Sequence, residues 1–201
     1  MIPLVENLLN TYRKNGGMRD IVFPKGNEAE FIALAKRLGF SGLICVYEKK
    51  SEFSKDQFVE NALLVKPESV RNAKLAGIKT VCQGSREALE RSPDIAFNFE
   101  VFEGKDKMHF RESGLNHVLC RIASENNVRI GFSIERILET SGRERAVLLG
   151  RIMQNLVLCS KFKVQVGIAS FATKPENMRA PAELASLFKE LGAQDVFRAG
   201  F

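Results

Sequence analysis

Histidine is nearly missing from this chain. There are two, His109 and His117, and neither falls in an H-x-H or H-E-x-x-H pattern, the spacings that bring imidazoles together on a metal. His117, beside Asn116 where a helix begins, reads as a capping or packing residue. His109, in a charged stretch, reads as solvated. No P-loop pattern and no G-x-G-x-x-G after a strand are present, so P-loop nucleotide binding and dinucleotide binding are unsupported. The four cysteines, Cys45, Cys82, Cys120 and Cys159, form no C-x-x-C pair. Each lies in an apolar run, where a free cysteine behaves as a small hydrophobe. That fits a reducing cytosol and excludes a disulfide scaffold or a zinc site. No apolar run is long enough to cross a membrane, and residues 2–12 are interrupted by Glu6, Asn7 and Asn10, so no signal-peptide core forms. The expectation is a cytoplasmic protein without a membrane partner. Lys25, Lys49, Lys50 and Lys66 follow strands, but none is embedded in an apolar run as Schiff-base chemistry requires. Glu48, Glu100 and Glu135 stand just past strands, and spacing alone leaves open whether they converge.

What the chain does have is a strict alternation of two periodicities. Its 201 residues are 45% hydrophobic, enough for one domain with a core. Short apolar strands are predicted at residues 20–23, 42–47, 62–65, 78–82, 95–99, 128–134, 164–169 and 195–197. Helical patterns fall at 3–14, 27–38, 67–76, 85–91, 113–126, 143–160 and 182–191. In the longest helix, Leu149, Ile152, Met153, Leu156 and Val157 are predicted to face inward. Residues 42–47 are continuously apolar, as in a strand buried on both faces. About eight strands alternating with about seven helices predict an α/β fold with a parallel sheet wrapped by helices. Eight strands favour a TIM-barrel-like closure over an open sheet. Since such barrels typically need about 250 residues, some helices should be short or missing, as the weakly patterned segment at 52–57 suggests. The domain reading is an N-terminal helical extension over residues 1–18 and a single, small, irregular barrel over 19–201.

The net charge is +6 and the isoelectric point about 9.2. The excess is not concentrated in a tail: residues 1–100 carry 15 Lys and Arg against 13 Asp and Glu, and residues 101–201 carry 15 against 11. A mildly basic surface suits a polyanion. Arginines recur in loops that follow strands, in Gln83-Gly84-Ser85-Arg86, His109-Phe110-Arg111, Ser133-Ile134-Glu135-Arg136, and Ser170 through Arg179. Arginine holds phosphate bidentately, and several such arginines without a catalytic set resemble a polyanion-binding surface more than an enzyme pocket. Ser170 has no base nearby in sequence and reads as a turn residue.

The C-terminal half carries a set of short pieces in register. They are Gly114-Leu115-Asn116-His117-Val118-Leu119, Val128-Arg129-Ile130-Gly131-Phe132-Ser133, Arg143-Glu144-Arg145-Ala146, Lys161-Phe162-Lys163-Val164, and Ile168-Ala169-Ser170-Phe171-Ala172 leading to Met178-Arg179-Ala180-Pro181-Ala182-Glu183-Leu184. Over roughly residues 94–191 this resembles RNase P protein component 3, the barrel-type protein subunit of archaeal ribonuclease P. Residues 1–93 agree in layout more than in wording.

The resemblance implies a TIM-like barrel and a role in removing 5′ leaders from precursor tRNA. In that assembly the catalytic RNA subunit performs the hydrolysis with its own Mg²⁺. This subunit would contribute no catalytic residue, metal site or cofactor. It would bind the catalytic RNA, RNase P protein component 2 and the other protein subunits. Carried over by motif, Arg179, Arg111 and Arg86 are expected to contact RNA, with Lys161 and Lys163 as further candidates. The segment Glu125-Asn126-Asn127 departs from the pattern, being polar or acidic where a basic residue is expected. A stand-alone barrel phosphoesterase or aldolase-like enzyme acting on a phosphorylated small molecule is the alternative.

Overall fold

A computed structural model describes residues 17–101 and 112–193. Seven strands lie in one parallel sheet, neighbour following neighbour in chain order: β1 (Arg19–Val22), β2 (Gly42–Tyr47), β3 (Val59–Leu64), β4 (Lys79–Gln83), β5 (Ile95–Phe97), β6 (Arg129–Ser133) and β7 (Val166–Ala169). The helices are α1 (Glu28–Leu38), α2 (Val70–Leu75), α3 (Arg86–Arg91), α4 (His117–Glu125), α5 (Ile134–Glu139), α6 (Gly142–Lys161) and α7 (Pro181–Glu190). Past the end of β7 the chain runs on beside β1, where Val22 and Ala172 form a parallel bridge and the Phe23 N–H donates to the Ala172 carbonyl at 2.8 Å. The sheet thereby returns to its first strand as a barrel of seven. Eight strands were expected. The eighth was placed at 195–197, outside the described residues, as are residues 1–16 of the expected N-terminal extension.

The strand alternation sorts side chains into two cores. Ile21, Ile44, Val46, Val81, Ile95 and Ala169 fill the barrel interior. Val22, Leu43, Cys45, Phe132 and Ile168 point outward and pack under the helices with Phe31, Ile152 and Phe188. β2 is buried along its whole length, as its apolar run predicts. β3 is only half-buried, because the β2–β3 connection holds a single 3₁₀ turn, Lys50–Glu52, and no α-helix. That shortened connection is how 201 residues suffice.

Caps set the helix starts. The side chains of Ser85, Asn116 and Ser133 accept from the N–H groups of Ala88, Leu119 and Arg136 at 3.0, 3.0 and 3.5 Å, satisfying donors that a helix N-terminus leaves unpaired. The helix expected from residue 113 starts at His117 because Gly114 stands at φ +81°, where a Cβ would lie 1.8 Å from the Phe99 carbonyl oxygen. His117 is exposed, and Asn116 does the capping. α5 was not anticipated. It is one and a half turns long, too short for a periodic signal.

The inward face of α6 differs from the expected one. Ile152 and Leu156 are buried, but Met153 is 46% and Val157 62% exposed. The buried stripe runs through Leu148, Ile152, Asn155, Leu156 and Cys159, and residues 153 and 157 lie about 100° round the helix from 152 and 156. Accordingly, Ile152→Ala should cost about 2–5 kcal/mol by urea denaturation. Met153→Ala should cost less than about 1 kcal/mol, and equal losses would contradict this packing.

Candidate nucleic-acid interface

The C-terminal ends of the strands form the barrel face on which α/β barrels usually hold substrates. Here three phenylalanines pack across its centre, and cavities of ≈ 650 and ≈ 290 Å³ remain beside them. Phe171 has a φ of +48°, a conformation that β-carbon sterics make uncommon outside glycine, and its ring stacks on Phe97 at 5.1 Å and 9° between planes. Phe23 closes the trio, 5.6 Å from Phe97 and 6.3 Å from Phe171. Opposite them β6 contributes Gly131, where a Cβ would meet the Phe171 ring at 2.6 Å. The glycine in the Arg-Ile-Gly-Phe-Ser strand is thus the space that the Phe171 ring occupies.

Behind the rings, Ser170 is the hub. It is fully buried. Its N–H donates to Asp20 Oδ1 at 2.6 Å, and its carbonyl accepts from the Ser133 hydroxyl (3.3 Å) and the Glu135 N–H (3.2 Å). Its hydroxyl accepts from the Arg179 N–H at 3.3 Å. Glu135 Oε1 accepts from the N–H and hydroxyl of Thr173 (2.8 and 3.0 Å) and from Asn177 Nδ2 (2.8 Å). The loop from β7 to α7 is therefore bound at both ends, and α7 begins at Pro181 with fixed φ and no N–H to satisfy. Arg179 rides on this scaffold. Its Nη1 donates to the carbonyls of Glu176 (2.8 Å) and Met178 (2.7 Å). Among the described residues, no hydrogen bond is made by its Nε or Nη2, which leaves one edge of the guanidinium fork for a ligand.

The expected RNA-contacting residues divide between the two ends of the barrel. Arg86 opens α3 after β4 and so shares the C-terminal face with Arg179. Its side chain is 68% exposed and its ion pair with Glu90 (2.8 Å) is an exposed i,i+4 pair, weak enough for a phosphate to displace. Lys161 and Lys163 are exposed but precede β7, which places them at the N-terminal end of the barrel. Lys161 Nζ lies 5.9 Å from the Phe162 ring, and Lys163 takes a left-handed turn at φ +56°. Arg111 lies outside the described residues. The described residues contain no group of three or more His, Cys, Asp and Glu able to hold a metal, and Lys25, Lys49, Lys50 and Lys66 are all exposed.

No family model matches the chain. It is 32% identical over 111 residues to ribonuclease P protein component 3 of Methanosarcina acetivorans, an alignment covering 55% of this chain and 44% of the relative. To the protein of the same name from Methanocaldococcus jannaschii it is 27% identical over 183 residues, 81% of this chain and 78% of the relative. Its curated homologues are archaeal ribonuclease P component 3 proteins. A chain in a cryo-EM structure of archaeal ribonuclease P with mature tRNA has the same fold, with a TM-score of 0.67 at 24% identity over 87% of this chain and 82% of that one.

Asp20 and Glu135 are the members of the Ser170 hub that sequence reading did not connect to it. Asp20 lies 150 positions from Ser170, and its only local signal is a carboxylate in an otherwise apolar strand. Burial raises the Asp20 carboxyl to about 6, against the hydrogen bonds from Ser170 and Ile21 that hold it down. A carboxyl raised on folding favours the folded state while protonated. Its contribution is complete below about pH 4 and is lost as pH rises through about 6. Between those values Asp20→Asn, which keeps the acceptor for the Ser170 N–H, should flatten the fall in stability with pH measured by denaturant titration. Asp20→Ala should destabilise by about 1–3 kcal/mol throughout. An unchanged pH profile in the Asn variant would remove Asp20 as the titrating group.

Proposed function

We propose that this chain is a protein subunit of ribonuclease P, acting with the catalytic RNA to generate mature 5′ ends of tRNA. The observation that carries the reading is the likeness to component 3 proteins along most of the chain, together with a fold shared with a chain of archaeal ribonuclease P. Where a barrel enzyme would hold substrate, Phe23, Phe97 and Phe171 pack together, and Ser170 is buried in hydrogen bonds to Asp20, Ser133 and Arg179. The fold keeps its architecture while the chemistry is done elsewhere. In this reading hydrolysis and its Mg²⁺ belong to the RNA. The protein binds that RNA and precursor tRNA, docks RNase P protein component 2 and the other protein subunits, and works in the cytoplasm. No described helix is long and apolar enough to cross a membrane. A stand-alone phosphoesterase or aldolase-like barrel is disfavoured by the component 3 relatives and by the exposure of the lysines beside the mouth.

RNA contact is assigned to Arg179 and Arg86 on the C-terminal face, and to Arg111 by its motif. Lys161 and Lys163, at the other end, would meet a different segment of RNA or a protein.

Reconstitution with the catalytic RNA and component 2 tests the proposal. Adding this protein should raise precursor-tRNA cleavage, and failure both to bind component 2 and to raise cleavage would refute the assignment. Arg179→Ala should weaken activation about tenfold, the loss of one charge-assisted phosphate contact. Arg179→Lys should recover only part of it, since an ammonium lacks the guanidinium fork. RNA affinity should fall steeply with salt, with a slope reduced by about one for each phosphate-contacting cation removed. Salt-insensitive binding would rule out phosphate contact.

A further inference from the structure

A cavity of ≈ 460 Å³ opens beside the C-terminal face, between the end of β5 and the first half of α6. Three arginines meet there: Arg136 from α5, Arg143 from the first turn of α6, and Arg151 two turns further along the same helix. Leu148 supplies apolar wall, and Glu100 and Glu144 are the carboxylates. Arg143 is exposed. Arg136 is half-exposed and its Nη1 meets Glu139 at 3.0 Å, an (i, i+3) surface pair that a stronger anion can replace. Arg151 is buried and its Nη1 donates to the Glu100 carbonyl at 3.4 Å. Glu100 itself is 1% exposed, and neither carboxylate oxygen has a hydrogen-bond partner among the described residues.

A concave site with three arginines, an apolar wall and an α-helix N-terminal turn at its rim is built for an anion with several acceptor oxygens. The carboxylates of Glu100 and Glu144 oppose that anion, and Glu100 is the buried one. We propose that this cavity is a phosphate-binding site for RNA, in which Arg136 and Arg143 hold a backbone phosphate, Arg151 fixes the wall behind it, and Glu100 gates binding by its charge. RNA is favoured over an acidic protein segment by position. Arg86 follows β4, the cavity lies past β5 and β6, and Arg179 follows β7, so one strand tracking round the face passes three cationic points in succession. The inference rests on the RNA-binding reading above and extends it to residues that no motif assigns.

The gating has a sign. Burial holds the Glu100 carboxyl up at about 7, partly offset by the charge of Arg136. Protonated Glu100 leaves the arginines to the phosphate, whereas ionised Glu100 competes for them through a poorly screening interior. Among the described residues, the other charges facing the site are Arg143, Arg151, Glu144 and, through Arg136, Glu139.

Fluorescence anisotropy of a labelled short single-stranded RNA tests this. Wild-type affinity should fall about tenfold between about pH 6 and about pH 8, the equivalent of one pKa unit of coupling. Glu100→Gln should bind with the same affinity across that range and more tightly than wild type at the upper end. Arg136→Ala and Arg143→Ala should each weaken binding about fivefold to tenfold without shifting the thermal melt. Wild-type affinity in both arginine variants, or an undiminished pH dependence in Glu100→Gln, overturns the proposal. So does displacement of the RNA by an acidic peptide of equal charge. Loss of binding in Arg86→Ala and Arg179→Ala with none in the cavity variants would sink this inference alone. The reverse pattern would instead move the RNA site away from Arg86 and Arg179.

Discussion

The barrel closes through two hydrogen bonds across its seam, Ser170 N–H to Asp20 Oδ1, 150 positions away, and Phe23 N–H to the Ala172 carbonyl. A parallel barrel needs its last strand to reach its first, and β7 as a strand ends at Ala169. The next three residues supply the seam. Ser170 lies against Asp20, and Ala172 pairs with Val22, two residues further along both chains. The carboxyl is fully buried, with Oδ2 lacking any hydrogen-bond partner among the described residues, a costly arrangement for a charge. Burial accordingly pushes the Asp20 carboxyl up to about 6, against the hydrogen bonds from Ser170 and Ile21 that hold it down. Closure and a buried acid are thus the same feature, and the hub built on Ser170 inherits its position from it.

That closure also decides what the face above it can do. The seam brings residue 171 to the mouth with a positive φ, and its phenylalanine turns inward onto Phe97 and over Gly131. The rings take up the centre of the mouth and leave cavities of ≈ 650 and ≈ 290 Å³ beside them, while the loops around it present guanidinium groups. The chemistry suited to such loops is recognition of phosphates by forked, permanently charged donors, and positioning rather than reaction is what they can supply. Fold and relatives together support the proposal of a subunit that assists an RNA catalyst, a proposal that the barrel alone would not suggest.

Much of this was legible in the residues. The strand and helix succession, the buried β2 and the thin β2–β3 connection follow from periodicity and local chemistry, which act within a few residues. The placement of Arg179 after β7 and of Arg86 after β4 follows from the same alternation. The misreadings share a cause. Met153 and Val157 belong to an apolar run in α6, and only the packing of Ile152 and Leu156 against the sheet shows which side of that run is covered. Lys161 and Lys163 stand next to a strand in sequence, but at its beginning. In a parallel barrel that puts them at the other end from Arg179.

By itself, then, the sequence determined the alternating parallel architecture, the absence of the recognisable catalytic motifs, and the cationic loops, because hydrophobic period and residue type are local properties. The tertiary structure decided which strand closes on which, that Asp20, Ser133, Glu135, Ser170 and Arg179 share one network, that Phe171 packs into the mouth, and that Arg136, Arg143 and Arg151 meet around Glu100. Those are contacts across 9 to 150 residues, and they exist only where the curvature and stagger of the sheet bring distant segments into register.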